Sequence, residues 1–254
     1  MDQGPSPRTG TGADDMRGAV RMRVARIVLI VVVVLGGLFV AADRVGVHLA
    51  ESKAAKQAQV TEDLDARPKV SIEGFPFLTQ VAGGKLDDVK VSAQDINAGG
   101  GADSLRIDSF HADLHGVKLS NGFSRAVADS ADGLAFITFD DLTKAAPQGI
   151  TVSYGGATQD GKTFVKLSGA VPGIGGSISV LSQITVRGAD SIGLHANPLP
   201  KAFTALGLED DIRQRIDFTR QLTHLPAGIA LTSVTSTPEG ISVAAGGKHV
   251  VLAN

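Results

Sequence analysis

The run from Ile27 to Ala42, IVLIVVVVLGGLFVAA, carries no charge and follows Arg17, Arg21, Arg23 and Arg26. A helix built from it is apolar on every side, so it cannot lie on the surface of a water-soluble domain. With Val24 and Ala25 included, it approaches the ~17–25 residues that span a bilayer. The run therefore divides the chain into a head over residues 1–23, a transmembrane anchor or signal segment over 24–42, and an exported domain over 43–254. Met1 to Gly18 is rich in Gly, Pro, Ser, Thr and Asp and reads as a disordered cytoplasmic head. Basic residues ahead of an apolar run keep the N-terminus in the cytoplasm. The expected location is thus the cytoplasmic membrane, crossed once, with the C-terminal domain outside. Val40-Ala41-Ala42 also suits signal peptidase, and cleavage there would release a secreted domain.

Composition narrows the chemistry of the exported part. Cys and Trp are absent and aromatics make up 4% of the chain, which removes thiol catalysis, thiolate metal sites and disulfides. The formal net charge is −2, and because the head is basic the exported part is the more acidic portion. Duplex binding depends on Lys and Arg neutralising phosphate, so nucleic acid is not an expected partner.

Asp43 to Arg67 favours helix, with Leu49, Ala50, Ala54, Ala58 and Leu64 among good helix formers. From Pro68 the hydrophobic period becomes two. Val70 and Ile72, Val89 and Val91, and Leu105 and Ile107 alternate with polar residues, and Phe110, Ala112 and Leu114 then take the apolar positions one residue out of phase. That shift predicts a β-bulge near Asp108–Ser109. Further strands are predicted at 135–138, 150–154, 163–167, 178–186, 192–194, 229–235 and 241–252. Turns are expected at Asn97–Gly101, Gly155-Gly156, Asp160-Gly161, Pro172-Gly173 and Pro238-Glu239-Gly240. Phe139–Ala145 reads as a short helix capped by Asp140 or Asp141, and Lys201–Leu222 as one or two helices with Glu209, Asp210 and Asp211 in a first turn. The fold class is α+β: an apolar N-terminal helix, then one antiparallel β-rich domain with a long helix.

Little in the sequence recruits catalysis. His111, Asp113 and His115 would share a strand face, but same-face residues lie ~6.5–7 Å apart along one strand, too far for the outer pair to hold one ion. They read as the wet side of an amphipathic strand. No Gly-x-Ser-x-Gly elbow occurs, and Gly173-Ile174-Gly175-Gly176-Ser177 lacks the Lys and the following helix of a phosphate loop. Lys85, Lys90, Arg106, Lys118 and Arg125 are candidate partners for an anionic group.

Val70-Ser71-Ile72-Glu73-Gly74-Phe75-Pro76-Phe77-Leu78-Thr79-Gln80, followed by Gly83-Gly84 and the Val89–Val91 strand, resembles the signature of the LmeA-like phospholipid-binding family of actinobacteria. Leu225-Pro226-Ala227-Gly228 and Pro238-Glu239-Gly240-Ile241 extend the resemblance over nearly all of the exported part. It implies a cell-envelope protein that binds anionic, phosphoinositide-like phospholipid without catalysis, cofactor or metal. It also implies an apolar cavity and a fold similar to tubular lipid-binding domains. Phe75, Phe77 and Leu78, three large apolar groups beside a turn that Gly74 permits, are candidate lipid contacts, with the inward faces of Val89, Val91, Phe110 and Leu114. The expected partners are phospholipid and, through the N-terminal segment, the membrane. Two rival functions compete: a module scaffolding envelope enzymes, and a hydrolase or transferase acting on lipid-linked glycans.

Overall fold

The computed structural model describes residues 13–62, 64–98, 105–121, 125–157, 162–170, 177–196, 218–221 and 225–253, with side chains from Arg26 onward except at positions 98, 157, 218, 220, 221 and 253. Helix α1 runs over Ala13–Thr61 without interruption. It starts inside the segment read as a disordered head and stops short of Arg67. Its side chains from Ile27 to Val40 are exposed, and it is long and apolar enough to cross a membrane or to serve as a signal segment. The chain divides into two compact units, one ending at Gly46 and one from Val47 onward.

In the second unit the last part of α1 is followed by strand β1 (Lys69–Glu73), helix α2 (Phe77–Ala82), β2 (Lys85–Ala98), β3 (Leu105–Ser120), β4 (Arg125–Thr138) and helix α3 (Phe139–Ala145). Then come β5 (Ile150–Ala157), β6 (Thr163–Ala170), β7 (Ser177–Arg187), β8 (Ser191–Ala196), β9 (Phe218–Gln221), β10 (Ile229–Ser236) and β11 (Gly240–Ala253). The α+β expectation is met. A six-stranded sheet has the order β1-β2-β3-β4-β11-β10, and a five-stranded sheet the order β5-β6-β7-β8-β9, with every pairing antiparallel.

The shift of phase in β3 is real but is not a bulge. Between β2 and β3 the register continues unbroken from Lys85↔Lys118 to Ala98↔Leu105. In the middle of the pair, Val89↔Leu114, Val91↔Ala112 and Ala93↔Phe110 make one face, while Asp88↔His115, Lys90↔Asp113 and Ser92↔His111 make the other. Toward both ends the apolar pairs fall on the alternate positions, Leu86↔Val117 and Ile96↔Ile107. The changes of phase occur beside residues of positive φ, Asp95 (56°) at one end and Gly116 (62°) at the other. His249 (54°) takes up the same role in β11, between the pairs Lys248↔Ser130 and Val250↔Ala128. Both partners invert together, so no residue is left over, whereas a bulge would offset the register.

Other expectations are corrected in detail. Gly155-Gly156 is not a turn but a register shift inside β5, where a Cβ on Gly155 would lie 2.7 Å from the Phe164 carbonyl carbon. Helix α3 has the expected bounds, yet its cap is Thr138, whose hydroxyl accepts a hydrogen bond from the Asp141 N–H. Phe218–Gln221, the end of the predicted Lys201–Leu222 helical segment, is strand, held by pairing of Phe218–Gln221 with Ser191–Leu194. The acidic triplet 209–211, the glycine-rich 173–176, and the turns at 99–101, 160–161 and 172–173 lie outside the described residues.

Among the described residues, two buried clusters result. One joins Val47, Phe77, Leu86, Val89, Val117, Ala128, Ala131 and Val250. The other joins Ile137, Val165, Leu167, Ile184, Leu231, Val234, Ile241 and Val243, between the two sheets.

Candidate functional site

The inner face of the six-stranded sheet connects these clusters. By register, Val91 and Ala93 of β2, Phe110 and Ala112 of β3, and Gly133 and Ala135 of β4 stand on the face that also carries Val89, Leu114 and Ala131. Val89 and Ala131 are buried, while the six residues beyond them are only half-buried. The side chains there are small apart from Val91 and Phe110. A β-carbon added to Gly133 would make only ordinary contacts, 3.7 Å from the His111 carbonyl oxygen and 3.8 Å from Phe110 Cε2. The strip is therefore a half-buried apolar wall of mostly small side chains, on which a larger side chain at position 133 would meet its neighbours without a clash.

The seven candidate contacts separate into three groups. Phe77 is buried with Val89 in the first cluster, against which Val91 and Leu114 pack in part. Phe110 stands further along the inner face, half-buried. Phe75 and Leu78 point elsewhere and are exposed, at 58% and 37%. Helix α2 explains the split: the segment read as a turn coils at Phe77, so one aromatic ring enters the core while its neighbours face outward. Ala93, Ala112, Gly133 and Ala135 were not singled out from the sequence, because small residues carry no signal until pairing aligns them.

The opposite face is polar. Lys69, Ser71, Glu73, Lys90, Ser92, His111 and Asp113, with Val91 and Ala112, line a groove of about 500 Å³ there. A second groove of about 250 Å³ is lined by Lys162, Thr163, Gln183, Thr185, Thr232 and Ser233 with Ile184, Val186 and Val234. His111, Asp113 and His115 are exposed, as the wet-face reading expects, and His115 is hydrogen-bonded to Asp88 through Nδ1. Among the described residues no group of three or more His, Cys, Asp or Glu side chains is placed to hold a metal ion.

The candidate cations are mostly committed to carboxylates. Lys118 and Lys85 hold Asp129 at 2.7 and 3.3 Å, and these hydrogen bonds, Lys118 first, lower the Asp129 pKa below the usual carboxylate value. Lys90 donates to Glu73 at 2.8 Å, and that bond raises its own pKa. Arg106 bridges Asp95 and Asp141, with the Asp95 bond the main cause of its raised pKa. Burial pushes the Asp141 carboxyl up, but hydrogen bonds from Thr138 and Lys144 and the charge of Arg106 outweigh it, leaving the pKa lowered. Preference for an anion therefore cannot be assigned to Lys85, Lys90, Arg106 or Lys118 without breaking an existing pair.

Comparison with known proteins gives one family: a model described as LmeA-like phospholipid-binding matches residues 41–246. No curated protein and no solved structure matches the chain.

Proposed function

Because the chain belongs to the LmeA-like phospholipid-binding family, we propose that it takes an acyl chain of an anionic, phosphoinositide-like phospholipid along the inner face of its six-stranded sheet. It does so as a non-catalytic carrier or sensor for envelope lipid or lipoglycan assembly, held outside the cytoplasmic membrane by α1. The observation that carries this reading is the half-buried strip of Val91, Ala93, Phe110, Ala112, Gly133 and Ala135 between two closed clusters. Burial of each methylene there is worth ~0.8 kcal/mol, so affinity comes from chain length, with few polar contacts to orient the lipid. A scaffold working through sheet edges is less well supported, because the free edge of β1 is already engaged: the Ile72 N–H donates to Glu51 Oε1 of α1 at 2.8 Å.

Filling the strip tests the reading. Gly133→Val should lower the phospholipid recovered per folded molecule by extraction and mass spectrometry, with the melting temperature nearly unchanged. Phospholipid content equal to that of the parent chain would remove the strip from the binding path. A parent chain that carries no phospholipid would favour the scaffold. Vesicles containing phosphatidylinositol or phosphatidylcholine, offered in competition, test the anionic preference.

A further inference from the structure

The geometry points to the Phe75–Leu78 turn as a membrane-inserting tip, through which lipid passes between the bilayer and the inner face of the sheet; the inference rests on the phospholipid-binding reading and on α1 as an anchor. Phe75 and Leu78 are large apolar side chains exposed on the surface, and between them Phe77 is 6% exposed in the first buried cluster. The turn is braced from several sides. Gly74 has a φ of +96°, Gln80 Nε2 donates to the Glu73 carbonyl oxygen at 3.3 Å, the Asp87 N–H donates to Gln80 Oε1 at 2.8 Å, and Thr79 Oγ1 donates to the Pro76 carbonyl oxygen at 2.8 Å. An apolar pair held on a rigid, internally anchored turn loses little conformational freedom when it enters an interface.

The covalent chain supplies the bilayer. The apolar run ends at Ala42, five residues before Val47, and five residues span at most ~17 Å even when fully extended. Val47 belongs to the same buried cluster as Phe77, and Glu51 holds Ile72, which precedes Phe75 by three residues or at most ~11 Å of chain. The domain is thus covalently joined to the membrane-anchoring segment, so that weak insertion of an exposed apolar pair suffices. Neighbouring charges are mixed, Glu73, Lys85, Asp87 and Lys90, so insertion depends on apolar side chains more than on anionic lipid. Phe75 and Leu78 accordingly contact the bilayer, and Phe110 and the small residues around it contact the carried lipid.

The chain contains no Trp, so Phe75→Trp in the full-length protein, reconstituted in phosphatidylcholine vesicles, gives a single reporter. Its emission should be blue-shifted and quenched when the vesicles contain brominated acyl chains. Emission like that of Trp in water, without quenching, would overturn the inference. In a second arm, the double variant Phe75→Ser with Leu78→Ser should keep the melting temperature and the phospholipid per folded molecule, but exchange phospholipid with added vesicles about tenfold more slowly. Loss of bound phospholipid at an unchanged exchange rate would place these side chains in the binding path and overturn the tip. If the double variant does not fold, the reporter arm decides. If the parent carries no phospholipid, the proposed function fails while quenching still tests insertion.

Discussion

Gly116 lies in β3 with a φ of +62°, and a Cβ there would sit 2.5 Å from Oδ2 of Asp129, the carboxylate that Lys85 and Lys118 share. Left-handed backbone costs an L-residue ~1–2 kcal/mol, and the carboxylate must move as well. Gly116→Ala should therefore destabilise the domain by about 1–3 kcal/mol, read as a lower denaturation midpoint at constant slope. Asp141, 2% exposed, makes a pH prediction. Its folded pKa is lowered, so the stability it contributes is present above the unfolded value near ~3.9 and is lost as pH falls through the folded value. Asp129, also lowered, works in the same direction but is more exposed and more readily screened by salt. Thermal melts of the parent between about pH 6 and 2 should show this acid loss, and Asp141→Asn should flatten part of it. An unchanged pH profile in the variant would mean that Asp141 is not held as its contacts imply.

Among the elements, α3 joins sheet to sheet, and its start depends on one hydroxyl. Thr138 Oγ1 accepts from the Asp141 N–H at 3.1 Å and donates to Asp141 Oδ2 at 2.7 Å. Thr138→Ala should cost about 1 kcal/mol or somewhat more, since it removes a cap and a partner of a buried carboxylate. Chemical denaturation of the two proteins side by side measures it. The β1 edge makes a different prediction. Glu51→Ala leaves the Ile72 N–H without its α1 acceptor, so it should lower stability by ~1–2 kcal/mol and expose an edge that pairs with other chains. Light scattering on heating should rise earlier in the variant, and identical scattering would mean that α1 does not guard this edge.

For the whole molecule, the same strands build both clusters. In β3, Leu105 and Ile107 pack on the second cluster while Val117 belongs to the first, and in β11 Val243 belongs to the second and Val250 to the first. Neither cluster can open without fraying strands that the other needs. The domain after the apolar run should accordingly melt in one transition, and two resolved transitions in calorimetry would contradict this. On the proposed topology, a reporter fused after Asn254 should be active outside the cytoplasm, and activity confined to the cytoplasm would reverse the orientation.

Charge and periodicity by themselves determined the apolar helix, the α+β class, α3 with its bounds, and the polar face of His111, Asp113 and His115, since these depend on residues adjacent in the chain, while the Val70–Gln80 motif carried the resemblance to the family. Pairing across strands decided the rest. The inversion at Asp95 and Gly116 looked like a one-strand bulge because only one partner's phase can be read along a sequence. Phe218–Gln221 became strand because Ser191–Leu194 offered it a ladder, a distant hydrogen-bonding partner that local helix propensity cannot anticipate. The Phe75–Leu78 motif was legible as apolar, but a turn of helix, fixed by backbone hydrogen bonds and by the cluster that receives Phe77, decided which side chain is core and which face outward. Likewise Ala93, Ala112, Gly133 and Ala135 form one strip of small side chains only where register sets them on the same face, because that alignment is a property of neighbouring strands and not of any one of them.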